Sequence, residues 1–212
     1  MNLSSAKLFI KSHHPSNRLR VSAGNRVNLS RDRLRTRIHV KGKDNRVYID
    51  PSARLRDVSI ELSGNGNTLT VGKNAMLLGG RIEMFGDGSE IHLGDGFGIN
   101  GGFIGAHWGT TITVGDGCVF SSATDVRTTD SHSIVDDNTG RRINEDRNIR
   151  LGERVWLGRG ASVTKGAVIG NDVMVAAMAV VTGKQDVPPH SMVGGIPAKV
   201  IRSGISWSTE RL

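Results

Sequence analysis

Apolar residues return along this chain at two fixed intervals. With the chain shifted against itself by 22 residues, Ile38, Ile60, Ile82 and Ile104 fall into register. Gly42, Gly64 and Gly86 then coincide, followed by Ile49, Val71 and Leu93, and by Ala53, Ala75 and Phe97. The fourth unit slips by one position, so that Val114 and Cys118 continue the last two columns. Apolar and polar positions alternate within each unit, and G-N-G-N (64–67) and G-D-G (86–88) punctuate them, the signature of short strands joined by tight turns.

From Leu151 the interval is six: Leu157, Val163, Ile169, Val175 and Val181 follow, with Val155, Ala161, Ala167, Val173 and Ala179 each four residues behind. A helix advances about 100° per residue, so apolar positions spaced by six would scatter around its circumference instead of forming one face. Three hexads close one triangular coil. Stacked coils bury the aliphatic column and pair each strand with the coils above and below. These patterns predict an all-β solenoid over about 38–201, broken by an extruded loop at about 121–148. A basic segment at 1–37 precedes it and a short tail at 202–212 follows.

Composition agrees with this class. Twenty-eight glycines in 212 residues would cost too much backbone entropy in a helical bundle. No apolar run approaches the roughly 20 residues that span a bilayer, and no apolar signal core is present at the N-terminus, so a cytoplasmic location is expected. The single cysteine, Cys118, has no partner for an internal disulfide, and its place in the small-residue column makes it an inward structural thiol instead of an acyl carrier. Charge is unevenly placed: residues 1–46 hold 12 Lys and Arg against Asp32 and Asp44, whereas the remainder is close to neutral. Such a basic arm attracts an acidic polysaccharide, a nucleic acid or a membrane surface, or is simply solvated. No nucleic-acid motif occurs and the cations are not interleaved with aromatics, which argues against nucleic acid.

The motifs T-T-D-S-H-S-I-V-D (128–136), T-G-R-R-I-N (139–144), R-V-W-L-G-R-G-A (154–161) and G-G-I-P-A-K-V-I (194–201) carry a resemblance to the hexapeptide-repeat acyltransferases. Within that family the chain is most similar to bacterial O-acetyltransferases of sugars and surface polysaccharides, some acting on sialic acid polymers. The resemblance implies a left-handed parallel β-helix, acetyl-CoA as co-substrate, no metal, and a homotrimer with sites between adjacent helices. It implies a saccharide acceptor, and the basic arm favours an anionic polymer.

Transfer of an acetyl group from a thioester to a hydroxyl needs a base of near-neutral pKa. His132 stands in the segment that breaks the repeat, and the family's catalytic histidine maps onto it. Asp130, Asp125, Asp87 and Glu83 are open candidates to orient it, Asp130 equally suiting a turn cap. His107 and Trp108 replace a glycine turn and could line an acceptor pocket; His13, His14, His39, His92 and His190 suit surface or turn positions. Trp156 follows the small residue of its hexad and should point outward, as a contact for pantetheine, a sugar ring or a neighbouring subunit; the resemblance places it near the reactive end, as a catalytic-site residue with His132. The resemblance places acetyl-CoA against Gly158, Ala177 and Thr182, with an amide near Gly158 able to stabilise the oxyanion. Lys184, Lys199, Arg202 and Arg159 would meet its phosphates. Two departures stand out: T-G-K-Q-D-V-P-P (182–189) is two residues longer than the family's usual turn, and Arg159 replaces a small residue. The alternatives are an N-acetyltransferase acting on an amino sugar nucleotide and a non-enzymatic polysaccharide-binding solenoid. A zinc site is disfavoured because no H-x-x-x-x-H pair occurs.

Overall fold

A computed structural model describes residues 15–184 and 186–210; the apolar stretch at 7–11 and His13 and His14 lie outside them. Every regular element among the described residues is a β-strand, and from Arg18 to Val181 the chain visits three parallel sheets in rotation. Face A comprises Arg18–Val21, Arg37–Lys41, Ser59–Ser63, Arg81–Phe85, Gly102–His107, Thr124–Arg127, Ser162–Thr164 and Val180–Val181. Face B runs from Arg26–Asn28 to Val168–Ile169, and face C from Arg33–Leu34 to Ser191–Gly195.

The apolar columns become the core because parallel pairing stacks like on like. On face A, Leu19, Ile38, Ile60, Ile82, Ile104, Val126, Val163 and Val181 are successive partners. On face C, Leu55, Leu77, Ile99, Phe120, Leu157, Val175 and Val193 do the same. Nearly all of these side chains are fully buried. Phe97 and Phe120 meet edge to face at 5.0 Å, filling the wider coils before the chain passes to the smaller hexads.

Three boundaries differ from expectation. The solenoid begins at Arg18, not near residue 38, because Leu19 pairs with Ile38 and Val27 with Val47. This terminal coil packs on one side only, so its apolar residues are few and half-buried, and its separations of 19 and 20 residues fall outside the 22-residue register. The extruded segment is 128–148, shorter than expected, because Thr124–Arg127 still belongs to face A and Ile149–Leu151 resumes face B. At the far end Ala198–Ser203 turns back antiparallel to Ser191–Gly195 and caps face C. The tail then folds back through Ile205 N, which donates to the carbonyl of His190 at 3.0 Å.

Two kinds of residue make the A-to-B corner. Gly64 has φ +136°, and a Cβ there would stand 2.0 Å from the carbonyl oxygen of Gly86 one coil away, so only glycine permits the approach. Beside it runs a buried polar ladder. Asn45 donates to Asn25 Oδ1 and to the carbonyls of Lys41 and Gly64. Asn67 donates to Asn45 Oδ1 at 3.0 Å and to Gly86 O at 2.9 Å, while its own Oδ1 accepts from Ser89 N at 2.8 Å. These amides take up backbone groups that the turns leave without strand partners. Replacing Asn67 by Leu strands the Gly86 carbonyl and the Ser89 amide inside the corner. Urea unfolding is expected to show a loss of about 3 kcal/mol, at about 1–3 kcal/mol for each buried group left unpaired; a loss below about 0.5 kcal/mol would show that the ladder carries no stability.

Candidate active site

His132 sits where the chain leaves face A and delays its return to face B. Ser131 before it takes a left-handed φ of 67°, an unusual geometry for a residue with a side chain, and the Ser131 amide donates to Thr129 Oγ1. The backbone N–H of His132 closes a tight turn onto the carbonyl of Asp130 at 2.8 Å. The imidazole is exposed, and among the described residues no side chain hydrogen-bonds to it. Beyond it the loop doubles back: Ile143 N donates to Ile134 O, and Asp136 accepts from the amides of Asn138 and Thr139.

Each carboxylate considered as an orienting group is engaged elsewhere. Asp125 forms a two-pronged pair with Arg127. Asp87 accepts the Asn65 amide at 2.7 Å. Glu83 lies between Arg81 and His107. Asp130 accepts from Lys165 Nζ at 2.5 Å and from Asn144 Nδ2 at 2.8 Å. The hydrogen bond from Lys165 is the main reason its carboxyl stays below the ordinary range. A cavity of about 430 Å³ opens under the loop, lined by Asp130, Arg142, Asn144, Arg147 and Lys165 among others.

His107 is buried, with Nε2 3.2 Å from Glu83 Oε1 at an angle poor for a hydrogen bond, so the contact is electrostatic. Burial outweighs that carboxylate and holds the imidazole below its ordinary pKa, in the neutral form. Its ring lies edge-on to Phe85 and Trp108. Trp108, half exposed, is the part of this pair that solvent reaches.

Trp156 is on face C, its indole N–H donating to Ser121 Oγ at 3.1 Å. Trp207 of the returning tail stands 5.9 Å from it, so the outward face of Trp156 is shared with this chain's own terminus. Trp207 is held in turn by its N–H on the carbonyl of Arg154 and by the Arg154 guanidinium over its ring. Composition alone did not single out Trp207; its place after the last coil, among only three tryptophans, was the available signal.

The expected acetyl-CoA residues divide between two corners. Gly158 and Ala177 lie at the C-to-A corner, where a Cβ on Gly158 would be 2.7 Å from the Ala177 nitrogen. Arg159 continues that corner, exposed, and Lys199 and Arg202 are exposed on the capping strand. Thr182 and Lys184 lie at the A-to-B corner, where Gly183 packs on Gly166 just past Lys165. The Gly158 amide does not serve as an oxyanion donor, because it is committed to Val175 O at 2.8 Å in the inter-coil ladder.

Residues 148–183, the coils that hold Trp156, Lys165 and Gly158, match the family described as bacterial transferase hexapeptide (six repeats). These residues carry the hexapeptide repeat of the bacterial transferases. Its fold is the left-handed β-helix of that repeat. Over 97 residues it is 32% identical to the polysialic acid O-acetyltransferase of Escherichia coli O1:K1 / APEC, covering 46% of this chain and 31% of that protein. Over 55 residues it is 36% identical to the Neisseria meningitidis polysialic acid O-acetyltransferase, covering 26% of each. In these alignments the chain spans about a third or less of the length of the curated relatives it matches. The solved polysialic acid O-acetyltransferase OatWY superposes with a TM-score of 0.78 at 25% identity, over 93% of this chain and 90% of that one. The polySia-specific acetyltransferase NeuO gives the same TM-score at 23% identity over 93% and 91%, a likeness of fold.

Cys118 lies in the solenoid core, fully buried, its Sγ close to Gly152 O and Val155 N. Burial pushes its thiol up to about 11, so at pH 8 only about one thiol in a thousand is ionised. A colorimetric disulfide reagent at pH 8 is expected to leave Cys118 unmodified in the folded chain and to label it within minutes in denaturant; rapid labelling of the folded chain would contradict the inward placement.

Proposed function

We propose that this chain transfers an acetyl group from acetyl-CoA to a hydroxyl of an anionic surface polysaccharide, with His132 as general base. The observation that carries this reading is an exposed imidazole, free of side-chain partners, presented on an anchored loop at one corner of a hexapeptide β-helix. In the reaction His132 takes the hydroxyl proton as the oxygen attacks the thioester carbonyl. The carbon–sulfur bond breaks and the proton passes to the leaving thiolate of CoA, so the imidazole returns to its starting form. A cytoplasmic site of action follows from the supply of acetyl-CoA. Arg18, Arg20 and Arg37 on face A and Arg26 and Arg46 on face B support an acidic acceptor, since these cations lie on the first two coils beside few acids.

The acting unit is a homotrimer with its sites between copies. His132 projects from the A-to-B corner, whereas Trp156 lies on face C, the side of the triangle opposite that corner. Their placement on different sides of one coil supports a site completed by a second copy. Ile134, Val135 and Ile143 on the His132 loop are about half exposed or more, an apolar surface that a neighbour would cover.

The first test is thiol release from acetyl-CoA with a panel of acidic and neutral saccharides. Acidic polymers are expected to lead the panel, and His132→Ala to lower turnover by about 10²- to 10⁴-fold; an undiminished variant would remove His132 from the mechanism. The shared site is tested by mixing inactive chains. His132→Ala and Trp156→Ala copies co-assembled from denaturant are expected to recover up to about a third of the wild-type rate, since some interfaces then pair two intact residues. No recovery would place each site within a single copy.

A further inference from the structure

The loop that presents His132 carries no core of its own. Ile134, Val135 and Ile143 face outward, so burial within this chain does not fix the loop against the coils. What does fix it is one lysine from the hexapeptide helix. Lys165 lies in the turn after Ser162–Thr164, at the same A-to-B corner, with its side chain only 12% exposed. Its ammonium donates to Asp130 Oδ2 at 2.5 Å and to the carbonyl of Asn144 at 2.6 Å, so it grips the outgoing and the returning arm of the loop at once.

Asn144 completes the clasp. Its Nδ2 donates both to Asp130 Oδ2 and to the backbone carbonyl of His132, each at 2.8 Å, and its Oδ1 accepts the amide of Ile134 at 2.7 Å. The two peptide units that follow His132, on either side of Ser133, are thereby bound to a buried amide. That amide is tied to the coil through Lys165. Arg142, paired with Asp146, donates to Asn144 Oδ1 and O and holds the asparagine from its other side.

We propose that Lys165 and Asn144 are positioning residues that set the His132 imidazole against its acceptor by fixing the His132 backbone. This assignment rests on His132 being the base. Neither residue touches the ring; their effect passes through the main chain. A shift of about 1 Å in a reacting group is enough to cost about 100-fold in rate. The polar clasp therefore acts first on the direction of His132 and so on turnover; of the expected acetyl-CoA contacts, Gly158 and Ala177 lie at another corner, and Thr182 and Lys184 at its own without touching the clasp's hydrogen bonds.

The test compares Lys165→Met, Asn144→Ala and Lys165→Arg in the full chain by acetyl-transfer kinetics and by hydrogen exchange. Lys165→Met and Asn144→Ala are expected to lower kcat by about 10- to 100-fold with KM for acetyl-CoA within about twofold, and Lys165→Arg to restore part of the rate. The amides of His132 and Ile134 should exchange faster while those of 149–181 stay protected. Unchanged kcat in both variants overturns the proposal, as does a joint loss of kcat and protection across 149–181, which would mark general destabilisation. If the wild-type chain transfers no acetyl group to any acceptor, the functional reading fails. Exchange then decides the anchoring alone, and unchanged His132 and Ile134 amides overturn it.

Discussion

The structure depends on one constraint: the backbone hydrogen bonds of each coil are made with the coils above and below. Arg37 N reaches forward to Val58 O, and Asp57 N reaches back to Leu34 O. A coil can therefore neither rotate nor change its perimeter without breaking register along three faces together. That is why inward residues stack in columns of matched size, and why the A-to-B corner needs glycines and buried asparagines. The perimeter does contract toward the far end, from separations of 22 residues between Ile82 and Ile104 to 18 between Leu157 and Val175. Phe97 and Phe120 fill the wide side of that step, and valine and alanine the narrow side.

The same constraint explains where chemistry is possible. Strands inside the ladder have no spare backbone donors, as the Gly158 amide shows by its commitment to Val175. Reactive groups must project from a face or leave the ladder altogether. Residues 128–148 leave it at a corner, where extra chain does not disturb register: Thr128 and Arg147 rejoin through the hydrogen bond from Arg147 N to Thr128 O. The loop is closed at its base and free to vary beyond it.

The columns were legible in the sequence because parallel stacking repeats one environment at constant spacing, and Ile38 through Ile104 print that repetition. The first coil was not legible. With a neighbour on one side only, Leu19 and Val27 are few and half-buried, and their separations follow no period. The motif around His132 was visible as the place where the period fails. Its support was not, because Lys165 is 35 residues from Asp130 along the chain and contacts it only through folding. Asp130, Asp125, Asp87 and Glu83 looked equivalent as partners for the base; what separates them is which cation or amide the coils place beside each. Trp156 was expected to point outward as a contact surface, and Trp207 of the same chain lies against it because the tail reverses after the capping hairpin.

Division of labour between scaffold and loop has an energetic logic. The coils are held mainly by apolar columns and the backbone ladder, while the His132 loop is held by charge-assisted bonds at Asp130, Lys165 and Arg142. Such bonds fix direction better than apolar contacts do, since donor and acceptor must align. They also weaken when either partner changes ionisation. The Asp130 carboxyl is depressed in the folded chain, so its contribution is fully present above the ordinary carboxylate pKa and is lost as pH falls through the lowered value. Wherever that carboxylate is charged, the clasp is closed. An apolar anchor would order the loop across all pH but would let it slide; this one gives the base a defined direction.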